Sequence, residues 1–226
     1  MPFFHAGDEL LRSKSLDRDS YDSGDWFNRL DFSGETHNFG VGMPPRSKNE
    51  GRYDLIRPFL ANVDENKPSK EDILAQTDYL CELMFIRSSS KLFALETFKD
   101  IQNRVSFFNR GNNQIPGLLV YVIDDGLEKQ KICENFERIV VCINATSRDI
   151  ENYAEKAFQR HVRNSLTSTN ASSKILELHP AQGAICNDAE TLSRVKISRG
   201  DDINDVDDIS LTIPALSTIV LVKKWY

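Results

Sequence analysis

From about Lys91 onward, apolar residues stop recurring at helical spacing and begin to alternate, so the second part of the chain is committed to β-structure. The candidate strands are Lys91–Leu95, Asn103–Asn109, Leu118–Asp124, Arg138–Asn144, Lys174–His179, Arg194–Ser198, Ile209–Ile213 and Thr218–Lys223. Turn-like clusters such as Arg110-Gly111-Asn112-Asn113 and Asp124-Asp125-Gly126 separate them. Short strands so punctuated predict an antiparallel β-sandwich and a mostly β fold class. One helical pattern, Tyr153, Ala157, Phe158 and Val162 within residues 151–166, interrupts the series.

The part before Lys91 is of another kind. Pro68-Ser69-Lys70-Glu71-Asp72 reads as a helix start, with Ser69 as cap and two acids at the positive end of the dipole. Ile73, Thr77, Leu80, Leu83, Met84 and Arg87 then follow at helical spacing, which predicts a helix over residues 69–88. A shorter helix is expected from Tyr53 to Ala61, ended or kinked by Pro58. Between Arg12 and Arg52 almost nothing has a regular period, yet Tyr21, Trp26, Phe27, Phe32 and Phe39 lie there. Disordered segments are poor in aromatics, so this stretch is expected to be an ordered loop that packs on something. The chain divides accordingly into residues 1–89 and residues 90–226.

A formal net charge of -6 and a pI near 5.3 argue against nucleic acid as a partner, because phosphate binding needs a basic surface. No apolar run approaches the length of about 18 residues that a membrane span needs, so no membrane partner is expected. Met1-Pro2-Phe3-Phe4-His5 does not have the form of a secretory signal and reads as the end of a buried strand. Cys81, Cys133, Cys142 and Cys186 are scattered without a CxxC, which predicts reduced thiols, mostly core fillers, and no zinc site. No residue pattern calls for a cofactor.

Several stretches are more specific. They are Pro2-Phe3-Phe4-His5-Ala6-Gly7-Asp8-Glu9-Leu10-Leu11-Arg12-Ser13-Lys14-Ser15, Asp17-Arg18-Asp19-Ser20-Tyr21 and Ser23-Gly24-Asp25-Trp26-Phe27-Asn28-Arg29. Further on come Gly40-Val41-Gly42-Met43-Pro44-Pro45, Ile86-Arg87-Ser88-Ser89-Ser90-Lys91-Leu92-Phe93 and Gln114-Ile115-Pro116-Gly117-Leu118. Over residues 2–125, and more weakly to 226, the chain resembles the pullulanase and limit-dextrinase group of the alpha-amylase superfamily. The resemblance implies a (β/α)8 barrel that carries the chemistry, followed by a C-terminal β-sandwich. Pro2–His5 is then the last barrel strand, residues 7–62 the loop after it, residues 69–88 part of the last barrel helix, and residues 90–226 the sandwich. Barrel active sites form on the loops at the C-terminal ends of the strands.

Retaining glycoside hydrolysis needs two carboxyl groups roughly 5 Å apart. In the family the nucleophile, the acid/base and a stabilising Asp lie on earlier strands, so the resemblance implies no catalytic residue in this chain. A truncated gene model, a fragment or a product of partial duplication would each account for that. What remains can shape a sugar site. Arg18 is the first candidate, a cation with five donors suited to sugar hydroxyls; its competing reading is a salt bridge to Asp17, Asp19 or Asp22. Near Asn49-Glu50-Gly51 the family has a sugar-binding carboxylate, and here Gly51 stands in its place, which leaves Glu50 as the substitute. Trp26 and Phe27 can stack on a sugar face or serve as buried loop anchors. Asp8 and Glu9 are rejected as a catalytic pair, since neighbours in a strand face opposite ways, and are expected to be architectural. His5 is expected to pack at the strand end. Asp201-Asp202-Ile203-Asn204-Asp205-Val206-Asp207-Asp208 lacks the Gly and distal Glu of an EF-hand and reads as an acidic turn. His161 and His179 suggest no role.

Three functions stay open: the C-terminal part of an enzyme that cleaves α-1,6 links in pullulan, limit dextrins or amylopectin, a non-catalytic module that binds glucan or protein, and a product without function. The expected partner is an α-glucan. Plant-like members of the family work in plastids, which is the compartment the resemblance implies for a plant-like parent.

Overall fold

The computed structural model describes residues 3–126, 130–163, 176–186, 188–199 and 209–225. The chain forms two compact units, residues 1–81 and 82–226.

The first unit is helix and turn. A single 3-10 turn at Asp8–Leu10 is followed by α1 (Asp25–Asn28), α2 (Arg46–Asn49), a second 3-10 turn at Glu50–Arg52, α3 (Tyr53–Ala61) and α4 (Val63–Asn66). Helix α5 (Lys70–Ser88) carries the chain into the second unit. Its start is a reciprocal cap, in which the Asp72 N–H donates to Ser69 Oγ at 3.1 Å and the Ser69 N–H donates to Asp72 Oδ2 at 2.8 Å. Pro58 sits inside α3 and leaves the helix continuous to Ala61. Residues 3–5 form no strand here. The His5 N–H donates to Asp8 Oδ2 at 3.2 Å, and Phe3 and His5 are exposed, so His5 does not pack as expected. The loop turns at Gly40, where φ is +76° and an added Cβ would stand 2.7 Å from the Val63 methyl groups.

The second unit opens with a 3-10 turn at Lys91–Ala94 and α6 (Phe98–Arg104), then continues with β1 (Val105–Phe108), β2 (Leu118–Asp124), β3 (Phe136–Asn144), β4 (Ile150–Tyr153) and α7 (Lys156–Arg163). Next come β5 (Glu177–Leu178), α8 (Ala189–Ser193), β6 (Lys196–Arg199), β7 (Ile209–Ile213) and β8 (Ser217–Lys224). Every pairing is antiparallel, in one sheet ordered β1-β2-β3-β8-β5 and another ordered β4-β7-β6. One face of the larger sheet (Val120, Val122, Val140, Cys142, Leu221) meets Ile150 of β4, Leu211 and Ile213 of β7, and Phe158 and Val162 of α7. Its other face (Ile123, Ile139, Val141, Val220, Val222) buries Ile86 of α5, Leu92 and Cys133.

The described residues are 35% helix and 21% strand, so the expectation of a mostly β chain is corrected to a mixed one. Local capping overrides alternation at two places. Ser90 Oγ accepts the Leu92 N–H at 3.1 Å and turns the expected strand Lys91–Leu95 into a 3-10 turn. Thr97 Oγ1 accepts the Asp100 N–H at 3.0 Å and starts α6, which takes Asn103 and Arg104 out of the expected strand Asn103–Asn109. The helical pattern expected over 151–166 resolves into β4 and α7, with residues 164–166 outside the described residues. The acidic run Asp201–Asp208 and residues 174–175 of an expected strand also lie outside them. Asn144 is buried and its amide donates to the carbonyls of Ile213 and Pro214. Cys133 and Cys142 are core residues, whereas Cys81 is exposed; all four thiols are free.

Burial disfavours the charged form of three histidines in this fold. Burial pushes His37, His161 and His179 below their ordinary value of 6.5, and the nearby Glu82 only partly offsets this for His179. His179 Nδ1 accepts the Ala181 N–H at 3.1 Å, so the ring proton sits on Nε2, 2.8 Å from Ser89 Oγ. The unfolded chain therefore binds more protons just below pH 6.5, and this part of the stability is complete above that pH and is lost as pH falls. The melting temperature is expected to drop between pH 7.5 and 5.5, by about 2–4 °C for each kcal/mol lost. His179→Gln is expected to reduce the drop; an unchanged drop in that variant would remove His179 from the account.

Candidate functional site

The aromatic-rich loop of the first unit is pinned by neighbouring residues of α2. Asn49 is fully buried, and its Nδ2 donates to Asp17 Oδ1 at 3.0 Å and to the Pro45 carbonyl at 2.9 Å. Its Oδ1 accepts the backbone N–H of Arg18 at 3.1 Å. Two acceptors on one side and a donor on the other fix which way the amide points. Lys48 holds the next turn, with Nζ 3.2 Å from Asp19 Oδ2 and paired also to Asp22. Asp17 in turn accepts from Ser23 Oγ at 2.5 Å and from the Asp19 N–H at 3.1 Å. Burial works to raise the Asp17 carboxyl. The hydrogen bonds from Ser23, Asn49 and the Asp19 amide, with the Lys48 charge, outweigh it and hold the group ionised below its ordinary value of 3.8.

Arg18 is thus held by its backbone while its side chain is exposed. The aspartates that competed for it are engaged elsewhere, Asp19 and Asp22 by Lys48 and Asp17 by Ser23 and Asn49. Among the described residues the Arg18 guanidinium has no carboxylate partner, so five donors face solvent. Glu50 follows Asn49 directly in the chain; it is exposed and paired with Arg46 one turn earlier. A surface pair of this kind contributes little, and the carboxylate remains open to exchange partners.

Trp26 and Phe27 part ways. Phe27 is buried and anchors the loop, whereas Trp26 is 66% exposed. The indole is nevertheless fixed, since Nε1 donates to the Val41 carbonyl at 2.7 Å and Asn38 Nδ2 donates to the Trp26 carbonyl at 3.0 Å. Asn28 ties the same turn back to Ser20, donating to its carbonyl at 2.7 Å and accepting from its hydroxyl at 2.8 Å. Asp25, Trp26, Asn28 and Arg29 line a depression of about 280 Å³. Asp8 and Glu9 lie in a 3-10 turn rather than a strand, and both serve backbone: Asp8 accepts from His5, and Glu9 Oε2 accepts the Gly7 N–H at 3.1 Å.

The Arg18 peptide is thus held by Asn49, the residue before Glu50, and Trp26 is fixed on the same loop. The sequence named Asp17 only as a salt-bridge partner for Arg18 and Asn49 only as the neighbour of Glu50, and gave Asn28 and Lys48 no role. Asp17 has a faint signal, an Asx turn two residues long; the grip of Asn49 on the loop has none, because the partners there lie 31 and 32 residues away. Among the described residues there is no group of three His, Cys, Asp or Glu side chains able to hold a metal, and no helix is long and apolar enough to cross a membrane.

Residues 34–224 match the family of alpha-1,6-glucosidases, pullulanase-type, C-terminal. The chain belongs to this family. It is similar to Pullulanase 1, chloroplastic, of Arabidopsis thaliana, at 41% identity over 99% of this chain and 21% of the relative. It is also similar to a pullulanase of Klebsiella pneumoniae, at 34% identity over 88% of this chain and 18% of the relative. A crystal structure of K. pneumoniae pullulanase complexed with maltotriose superposes with a TM-score of 0.75 at 35% identity, covering 97% of this chain and 18% of that one. The chain thus spans about a fifth of the length of its pullulanase relatives. Its pullulanase-type region includes α2, Asn49 and Glu50, while Arg18 and Trp26 precede the family match.

Proposed function

We propose that this chain serves as the C-terminal portion of a starch-debranching glycoside hydrolase that cleaves α-1,6-glucosidic bonds in pullulan, limit dextrins or amylopectin. Arg18, Glu50 and Trp26 bind the glucan, and the chain alone carries no nucleophile or acid/base and is inactive. In this reading residues 1–89 belong to the end of a catalytic (β/α)8 barrel and residues 90–226 form the C-terminal sandwich domain. The observation that carries it is the Arg18 guanidinium, held at its backbone by a buried Asn49 and turned to solvent without a carboxylate partner among the described residues. An unspent set of donors suits hydroxyl-rich ligands. Exposed Phe3, Tyr21, Trp26 and Phe32 on the same unit fit a segment whose apolar surface is covered in a longer protein.

One observation favours a second reading, a non-catalytic glucan- or protein-binding sandwich. Phe107 of β1 pairs across strands with Tyr121 of β2, the ring centroids are 5.7 Å apart, and Phe107 is half exposed on the sheet face. Such a pair, with its rings tilted by 41°, offers an apolar surface on the sheet.

Both readings meet one experiment on the purified 226-residue chain, reducing ends released from pullulan beside retention on starch. The expected result is no release of reducing ends, with retention that Arg18→Ala or Trp26→Ala abolishes and Phe107→Ala does not. Loss of retention in Phe107→Ala alone would move the function to the sandwich. Release of reducing ends would show that carboxylates within this chain do the chemistry.

A further inference from the structure

Arg18 and Glu50 are 32 positions apart, and the buried side chain that holds the Arg18 peptide belongs to the residue just before Glu50. Asn49 touches no solvent, so it is not itself a ligand-binding group. Its three hydrogen bonds all go to the chain: to Asp17, to Pro45, and from the Arg18 peptide N–H. The last is the informative one. The buried Oδ1 needs a donor wherever it stands, and the donor it takes is the peptide N–H of Arg18. By accepting the Arg18 N–H as well, it sets the orientation of the peptide from which the guanidinium departs. Asp17, ionised and gripped by Ser23 and the Asp19 N–H, fixes Asn49 from the other side. The clamp thus determines where the free donors of Arg18 are presented, and a misplacement of that origin moves a long side chain's far end by more than its near end. Preorganised placement of this sort is what converts an exposed side chain into a binding group, because it removes part of the ordering cost on association.

We infer that Asn49 is a positioning residue that acts through Arg18, holding its backbone so that the guanidinium meets the hydroxyl groups of an α-glucan. The inference rests on the glucan-binding reading proposed above. Loss of Asn49 removes no contact with the sugar, yet weakens binding in the same way as loss of Arg18, and only while Arg18 is present.

The test is a double-mutant cycle, with maltotriose titrated into the 226-residue chain and into Arg18→Ala, Asn49→Ala and the double variant, and melting followed for each. Arg18→Ala is expected to weaken binding about tenfold or more, Asn49→Ala by a similar factor, and the double variant no further than Arg18→Ala. If Asn49→Ala does not fold, Asn49→Gln is read in its place, since it keeps the amide but displaces it by one methylene. In the unvaried chain the Arg18 amide proton should exchange slowly, and in the Asn49 variants fast. Losses that multiply in the double variant, or Asn49 variants that bind as the unvaried chain does, would overturn the positioning role and leave the glucan reading standing. If maltotriose does not bind, or binds Arg18→Ala unchanged, the glucan reading falls and the inference with it.

Discussion

Arg138→Ala is expected to destabilise the second unit by about 3–5 kcal/mol, a large part of the stability of a typical domain. Arg138 is 2% exposed, yet it points its charge into the protein from near the start of β3. Its Nε donates to Asp124 Oδ2 at 2.5 Å and its Nη1 to the Val162 carbonyl at 3.2 Å. Asp124, at the end of β2, has no exposed surface at all. Removing the arginine strands that carboxylate where water cannot reach it, and the cost is the unpaired charge rather than the lost attraction. Equilibrium urea unfolding measures it, as a fall in the midpoint with the slope unchanged. Replacing both partners with apolar residues, Arg138→Met with Asp124→Leu, should recover most of the loss, because neither charge is then left alone. His161 adds a second check. Its Nε2 lies 3.6 Å from Asp124 Oδ2, and its pKa is lowered first by burial and then by the Arg138 charge. Without Arg138 the imidazole can take a proton and partly replace it beside Asp124. The gap between the variant and the unvaried chain should therefore narrow from pH 7.5 to 5.5. A single substitution costing under about 1 kcal/mol, or a gap that widens on acidification, would contradict this account of the pair.

That pair marks a boundary of what the sequence discloses. Asp124-Asp125-Gly126 has the composition of a turn, and β2 does end at Asp124 as expected. Yet both acids are buried, Asp125 accepting from Arg104 Nε at 3.1 Å and from the amides of Ile132 and Cys133 at 2.8 Å. A turn of polar residues and a buried double ion pair share one local composition; the difference lies in arginines 14 and 21 positions away. Where the determinant is local, the sequence was readable. Strand β7 and helix α3 fall on their expected bounds, and α5 starts one residue after its Ser69 cap. Alternation and capping act over a few residues, so their signal survives in the order of the chain. The candidate site divides in the same way. Residue type marks Arg18 and Trp26 as able to meet a sugar, and the family resemblance adds Glu50. Which of Trp26 and Phe27 faces outward, and that a buried Asn49 grips the Arg18 peptide, depend on contacts across tens of residues.

Phe158→Ala is expected to cost about 3–5 kcal/mol and to do so without any charge being moved. Phe158 is fully buried at the centre of α7. It meets Phe108 edge-on, with centroids 5.5 Å apart and planes at 77°, and Tyr153 at the same distance with planes at 53°. The ring therefore joins α7 to β1 of the larger sheet and to β4 of the smaller one, and its removal opens a cavity between rigid strands that cannot close over it. Phe158→Leu keeps most of the volume and should cost less than half as much; equal costs would mean that the ring is not the wedge described here. The effect should also be coupled to the ion pair. Arg138 Nη1 donates to the Val162 carbonyl on the same helix, and Gln159 Nε2 donates to the Ile209 carbonyl at 3.0 Å. A helix already loosened by Phe158→Ala has less to lose when Arg138 goes, so the double variant should be destabilised by less than the two single losses combined, by about 0.5 kcal/mol or more. Strict additivity would indicate that α7 is held by independent contacts and that Arg138 matters to Asp124 alone.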